Sequence, residues 1–83
     1  MSMEYYKKQM VDLRAKLQKE KDAKKKDNEY YARMVKFSST PSNKAYYRKS
    51  KIDRAASHDR QIESIKRQIE SCKDNIARER KRK

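Results

Sequence analysis

The stretch from Ile62 to Ile76 constrains this chain more than any other. Ile62, Ile65, Ile69, Cys72 and Ile76 recur at spacings of 3, 4, 3 and 4. That is the a/d pattern of a helix that buries one narrow stripe against another helix. A second run of the same period lies near the start, where Tyr6, Met10, Leu13 and Leu17 are spaced 4, 3 and 4. Two seams of one period on one chain predict two helices packed on each other.

The composition leaves little room for anything else. Of 83 residues, 34% are apolar and 45% charged, with no Gly, no Trp and one Pro. Too few apolar residues are present for a conventional globular core, and too few turn residues for a β-sheet protein. The regular apolar period separates the chain from disordered sequences of similar charge. No run approaches about 18 consecutive apolar residues, so no transmembrane helix is expected. The opening MSMEYYKKQM has no cationic stretch followed by an apolar segment, so no secretory signal is read. One cysteine rules out an internal disulfide, and Cys72 reads as a small buried hydrophobe on the seam. A cytoplasmic setting is expected.

One break is visible, SSTPSN at 38–43. Proline disfavours helical geometry at Thr40, and the Ser/Thr/Asn cluster suits a turn. Ser42 or Asn43 is the expected N-cap of the second helix. The prediction is therefore one all-α unit over 1–83, an antiparallel coiled-coil hairpin. Its parts are a helix at 3–37, a turn at 38–42, a helix at 43–80 and a basic tail at 81–83. Registering the seams pairs residues whose numbers sum to about 82: Leu17 with Ile65, Leu13 with Ile69, Met10 with Cys72 and Tyr6 with Ile76. Lys24 then falls near His58, Glu20 near Ile62 and Met34 near Tyr47. Residues 20–29, EKDAKKKDNE, offer only Ala23 as an apolar residue. They read either as a solvated section of helix or as a flexible linker.

Two surfaces are candidates for function. Tyr30, Tyr31, Phe37, Tyr46 and Tyr47 crowd the turn end, and one seam cannot cover them all, because adjacent helical residues point about 100° apart. They either pack locally with wet hydroxyls or form a partner-binding patch, for which Tyr31, Phe37, Tyr46, Tyr47 and Arg48 are the candidates. The second candidate rests on charge. The net charge is +13, with +5 on residues 1–43 and +8 on 44–83, ending in RERKRK. That balance favours acidic partners: nucleic acid, anionic lipid or an acidic protein. Lys44, Arg48, Lys49, Lys51 and Arg54, interleaved with tyrosines, are the residues for non-specific nucleic-acid binding. The asparagine of basic-leucine-zipper base reading is missing from RKSKIDRAASHDR, and Asp53 and Asp59 would stand beside phosphates.

Catalytic apparatus is not legible. His58 has no cysteine near it, so no metal site is expected, and neither a cofactor loop nor a Ser–His–Asp arrangement can be read. Carboxylates mostly lie three or four residues from a base, as in Glu63 with Arg67, Glu70 with Lys73 and Asp74 with Arg78; these read as helix-stabilising pairs. A non-enzyme is expected, acting as an interaction or assembly adaptor for an acidic protein partner or through self-association into an oligomer.

Taken together, EYYKKQMVDLRAKLQKEKDAKKKDNEYYARM, SSTPSN and YYRKSKIDRAASHDRQIESIKRQIESCKDNIA resemble the helical hairpin that precedes Toll/interleukin-receptor-type domains in some bacterial proteins. The shared features are the YY start, the Lys-rich first helix, the Ser/Thr turn with an Arg soon after it, and the Lys/Ile-rich second helix. No such enzymatic domain is read within these residues. The resemblance therefore implies a docking role in a bacterial defence or toxin setting, and no catalytic residue. The small hairpins of type VII secretion are a second comparison, which would make the chain an accessory of a secreted-toxin complex. Their Trp-x-Gly turn is replaced here by SSTPSN, and no tyrosine lies beyond Tyr47 to supply their C-terminal signal.

Overall fold

The computed structural model describes residues 3–82. Two helices make up the described chain: α1, Met3–Phe37, and α2, Pro41–Lys81. They lie against each other as an antiparallel hairpin, a rod of 65 × 14 × 12 Å. Among the described residues there is no strand, and no helix is long and apolar enough to cross a membrane. Residues 20–29 are helical throughout. Of the expected basic tail, Lys81 closes α2 and Arg82 is its C-cap, while Lys83 lies outside the described residues.

The connection is tighter than the SSTPSN stretch suggests, because only Ser38–Thr40 stand between the helices. The N-cap is Thr40, not Ser42 or Asn43. Its backbone is extended, at φ −117° and ψ 147°, which is where a residue before proline is driven. From there its hydroxyl accepts the Asn43 N–H at 3.2 Å. Pro41 then takes the first helical position, where a missing N–H costs nothing and a fixed φ already suits the helix. The proline that breaks α1 is thus also the start of α2, two residues earlier than 43.

The buried core is small: Met10 on α1, with Ile62, Ile65, Ile69 and Cys72 on α2. Tyr6, Leu13, Leu17 and Ile76 pack against it, half-buried. Cys72 is the most enclosed, and its thiol donates to the Tyr6 carbonyl at 3.0 Å. At the other end Met34 and Tyr47 line one crevice.

Burial follows an unbroken 3,4 rhythm along α1, well past the last leucine. Tyr6, Met10, Leu13 and Leu17 are continued by Glu20, Lys24, Asp27, Tyr31, Met34 and Ser38, all buried or half-buried. On α2 the line runs Lys44, Tyr47, Lys51, Ala55, His58, Ile62, Ile65, Ile69, Cys72, Ile76 and Glu79. It has one irregularity, since Tyr47 to His58 takes steps of 4, 4 and 3. Such an eleven-residue step locally relaxes the supercoil of a heptad coil. The polar middle is therefore neither a linker nor a solvated gap. Its charged side chains occupy the seam itself.

Candidate functional site

His58 is the centre of that polar section. Its Nδ1 lies 2.5 Å from Glu20 Oε1 and its Nε2 lies 2.6 Å from Asp27 Oδ2. Glu20 and Asp27 are seven residues apart, so they stand on one face of α1, two turns from each other, with the imidazole between them. A neutral imidazole has a single N–H and can donate to only one of these acceptors. Two carboxylates at hydrogen-bond distance thus select the imidazolium. Hydrogen bonding to Asp27 and then to Glu20, with their negative charges, raises the His58 pKa above its ordinary 6.5, and burial opposes the shift only in part.

Three further charges surround this clamp. Arg54 Nε lies 3.4 Å from the same Asp27 oxygen, and Lys24 Nζ lies 2.6 Å from Asp59. With His58 protonated, the cluster holds three acids and three bases and is neutral. With both ring nitrogens directed at carboxylates as donors, no lone pair remains for a metal. No group of three or more ligating side chains is placed to hold one among the described residues. The seam register of the sequence places Lys24 beside His58 and Glu20 beside Ile62. It misses Glu20 and Asp27 as the two jaws. The available signal is the 3,4 spacing Leu13, Leu17, Glu20, Lys24, Asp27, Tyr31, which does not stop where the apolar residues do.

The turn-end residues are sorted by the same seam. Each YY pair straddles its edge: Tyr6, Tyr31 and Tyr47 are half-buried in it, while Tyr5, Tyr30 and Tyr46 stand outside. In every pair the rings meet edge to face, with centroids 5.4, 5.1 and 5.3 Å apart. Phe37 is 75% exposed and Tyr46 65%; the Lys36 ammonium lies 5.9 Å from the Phe37 ring centre. Of the five expected partner contacts, Phe37 and Tyr46 are accessible, Tyr31 and Tyr47 serve the seam, and Arg48 is exposed one position beyond it. The five nucleic-acid candidates are spread around α2. Lys44 and Lys51 are seam residues, Arg54 points to Asp27, and Arg48 and Lys49 are exposed elsewhere. Lys44, Arg48 and Lys51, spaced 4 and 3, share one stripe of α2, and Lys49 and Arg54 lie off it. Of the expected intrahelical pairs, Glu70 with Lys73 forms at 3.8 Å.

Helix handedness decides which surfaces coincide. Seen from one end, residues advance clockwise on one helix and anticlockwise on its antiparallel neighbour. Residues one position before a seam residue therefore fall on the same side of the hairpin for both helices. The groove between the helices on that side agrees: Lys16, Lys19 and Ala23 face Gln61, Ser64 and Gln68 across it. Further along, Gln9 and Asp12 face Ser71 and Asn75. All four exposed aromatics, Tyr5, Tyr30, Phe37 and Tyr46, precede a seam residue and belong to this side. The exposed aliphatics Val11 and Ile52 come just after a seam residue and belong to the other. No family model, curated protein or solved structure matches this chain.

Proposed function

We propose that the chain is a non-catalytic interaction module, a rigid two-helix rod that presents an aromatic and basic surface at its turn end to a protein partner. The observation that carries this reading is the exposure of Phe37, Tyr46 and Tyr30 beside Arg33 and Lys36, on a chain that buries only five side chains among the described residues. A protein this short of apolar residues gains nothing in its own fold by leaving Phe37 in water. Aromatic rings flanked by arginine are the groups that dominate binding at protein interfaces, and the charge of +13 steers acidic surfaces toward them. The resemblance of the hairpin to those ahead of Toll/interleukin-receptor-type domains supports a docking role in a bacterial defence or toxin system.

The test is affinity purification from the source organism with three baits: the wild type, Phe37→Ala/Tyr46→Ala, and a chain truncated after Ala77. Loss of the partner with the aromatic variant and retention with the truncated chain is the expected result. Retention with the aromatic variant and loss with the truncation would move the docking site to the basic C-terminus.

A further inference from the structure

Resting on the reading just given, we propose that the hairpin is two-thirds of a three-helix bundle, and that an acidic amphipathic helix of the partner completes it along the aromatic side. The groove on that side has the section such a helix needs: an apolar floor with Leu13, Ile65 and Cys72, and polar walls. Its anchors stand at one end. Tyr30 and Phe37 lie one heptad apart on α1, in phase with Lys16 and Ala23 of the groove wall, and Tyr46 precedes the seam on α2 as Ser64 and Ser71 do.

Charge identifies the occupant. On this side the cations are Lys16, Lys19, Lys26, Arg33, Arg54 and Arg78, and the acid is Asp12. The opposite side carries Asp59, Glu63 and Glu70 among its bases and partly neutralises itself. A second copy of this chain would bring cations against cations here, so the occupant is acidic. The α2 wall also separates a helix from a polyphosphate. Ser57, Gln61, Ser64, Gln68, Ser71 and Asn75 are uncharged from 57 to 75, about 27 Å of helix, in a chain that is 45% charged. A nucleic-acid strand, with a phosphate at every nucleotide, finds nothing to neutralise it along that wall. A helix that is acidic only on the flank facing α1 finds hydroxyls and amides along α2 and small side chains that let it approach. A helix lying from Asp12, within the groove, to Phe37, beyond it at the turn end, has about 25 residues.

The recognition chemistry is generic enough for a designed probe. A labelled acidic amphipathic peptide of about 25 residues, with leucines on one stripe and glutamates on its flank, is titrated with the full chain by fluorescence anisotropy. A lysine-for-glutamate peptide, oligothymidylate and phosphatidylcholine/phosphatidylserine vesicles are run beside it. Saturable binding of the acidic peptide below about 100 µM is expected, and it should weaken as salt rises. Tyr30→Ser/Phe37→Ser/Tyr46→Ser is expected to weaken it about tenfold or more. Val11→Ser/Ile52→Ser, on the other side at 67% and 68% exposure, is expected to change it less than about twofold. Circular dichroism of both variants verifies that the hairpin is intact. No saturable binding, equal loss with the two variants, or tighter binding of oligothymidylate, vesicles or the basic peptide overturns the proposal. If the acidic peptide fails while affinity purification still yields a Phe37-dependent partner, the docking reading stands and the third helix falls. If both fail, the docking reading falls too.

Discussion

The distal half of the rod and its middle use the same seam positions for different ends. Between Tyr6 and Leu17 the seam meets isoleucines and a cysteine; between Glu20 and Asp27 it meets an imidazolium. Aliphatic pairs stabilise in proportion to the area they cover and are nearly indifferent to which isoleucine meets which leucine. Charged pairs are indifferent to area and sensitive to position. A slip of one heptad would set His58 against Leu17 or Tyr31 and leave the half-buried Glu20 and Asp27 without their shared partner. The distal half holds the helices together, and the middle selects the register, as a polar residue at a seam position does in coiled coils.

The largest expected effect breaks the distal half. Ile65→Asp/Ile69→Asp places two carboxylates where residues are 9% and 8% exposed, with a combined cost on the order of 5 kcal/mol or more. Cooperative melting of the helical circular-dichroism signal is expected to vanish. Survival of a cooperative transition near the wild-type temperature would show that the seam is not what holds the hairpin.

Next comes the opposite change in the middle. Glu20→Leu/Asp27→Leu/His58→Leu extends the aliphatic seam and is expected to raise stability, because these half-buried positions then cover apolar surface. The gain comes with lost uniqueness: the amide spectrum is expected to show more than one set of resonances from competing registers or assemblies. A more stable variant with a single set of resonances would deny the middle its role in setting register.

The smallest effect is a titration. Protonated His58 binds its two carboxylates in the folded state, so its pKa is raised there above the unfolded value of 6.5. Below about pH 6.5 both states hold the proton and the stabilisation is complete. As pH climbs through the higher folded value the proton is lost and the stabilisation goes with it. His58→Gln is expected to cost about 1–2 kcal/mol at pH 5.5, less than a fully enclosed pair because these side chains retain 16–26% exposure. The cost is expected to shrink at pH 9, measured by urea unfolding. Glu70→Ala, which removes an ion pair whose side chains are 54% and 70% exposed, is expected to cost well under about 1 kcal/mol. An equal cost of His58→Gln at both pH values would mean that its ring serves the fold by packing alone.

Much of the molecule is legible from residue order, and the part that is not has a physical cause. The 3,4 spacing of Ile62, Ile65, Ile69 and Cys72 dictates a helix with one buried stripe. A matching stripe at Tyr6–Leu17 and a short proline-containing link then leave an antiparallel hairpin as the way to cover both. All of this is local periodicity, which a sequence carries openly. What only the tertiary structure decided is long-range. His58 meets Glu20 and Asp27 across 38 and 31 residues, and hydrophobic period cannot reveal a seam whose members are charged. The sorting of the tyrosine pairs was legible in part, since the seam register already turns Tyr6 and Tyr47 inward. Composition shows two adjacent tyrosines, but which ring turns inward depends on the phase of the seam, and between Tyr47 and His58 that phase shifts by an extra step of four. The side of the rod that displays the aromatics is therefore set by the packing of one helix on the other.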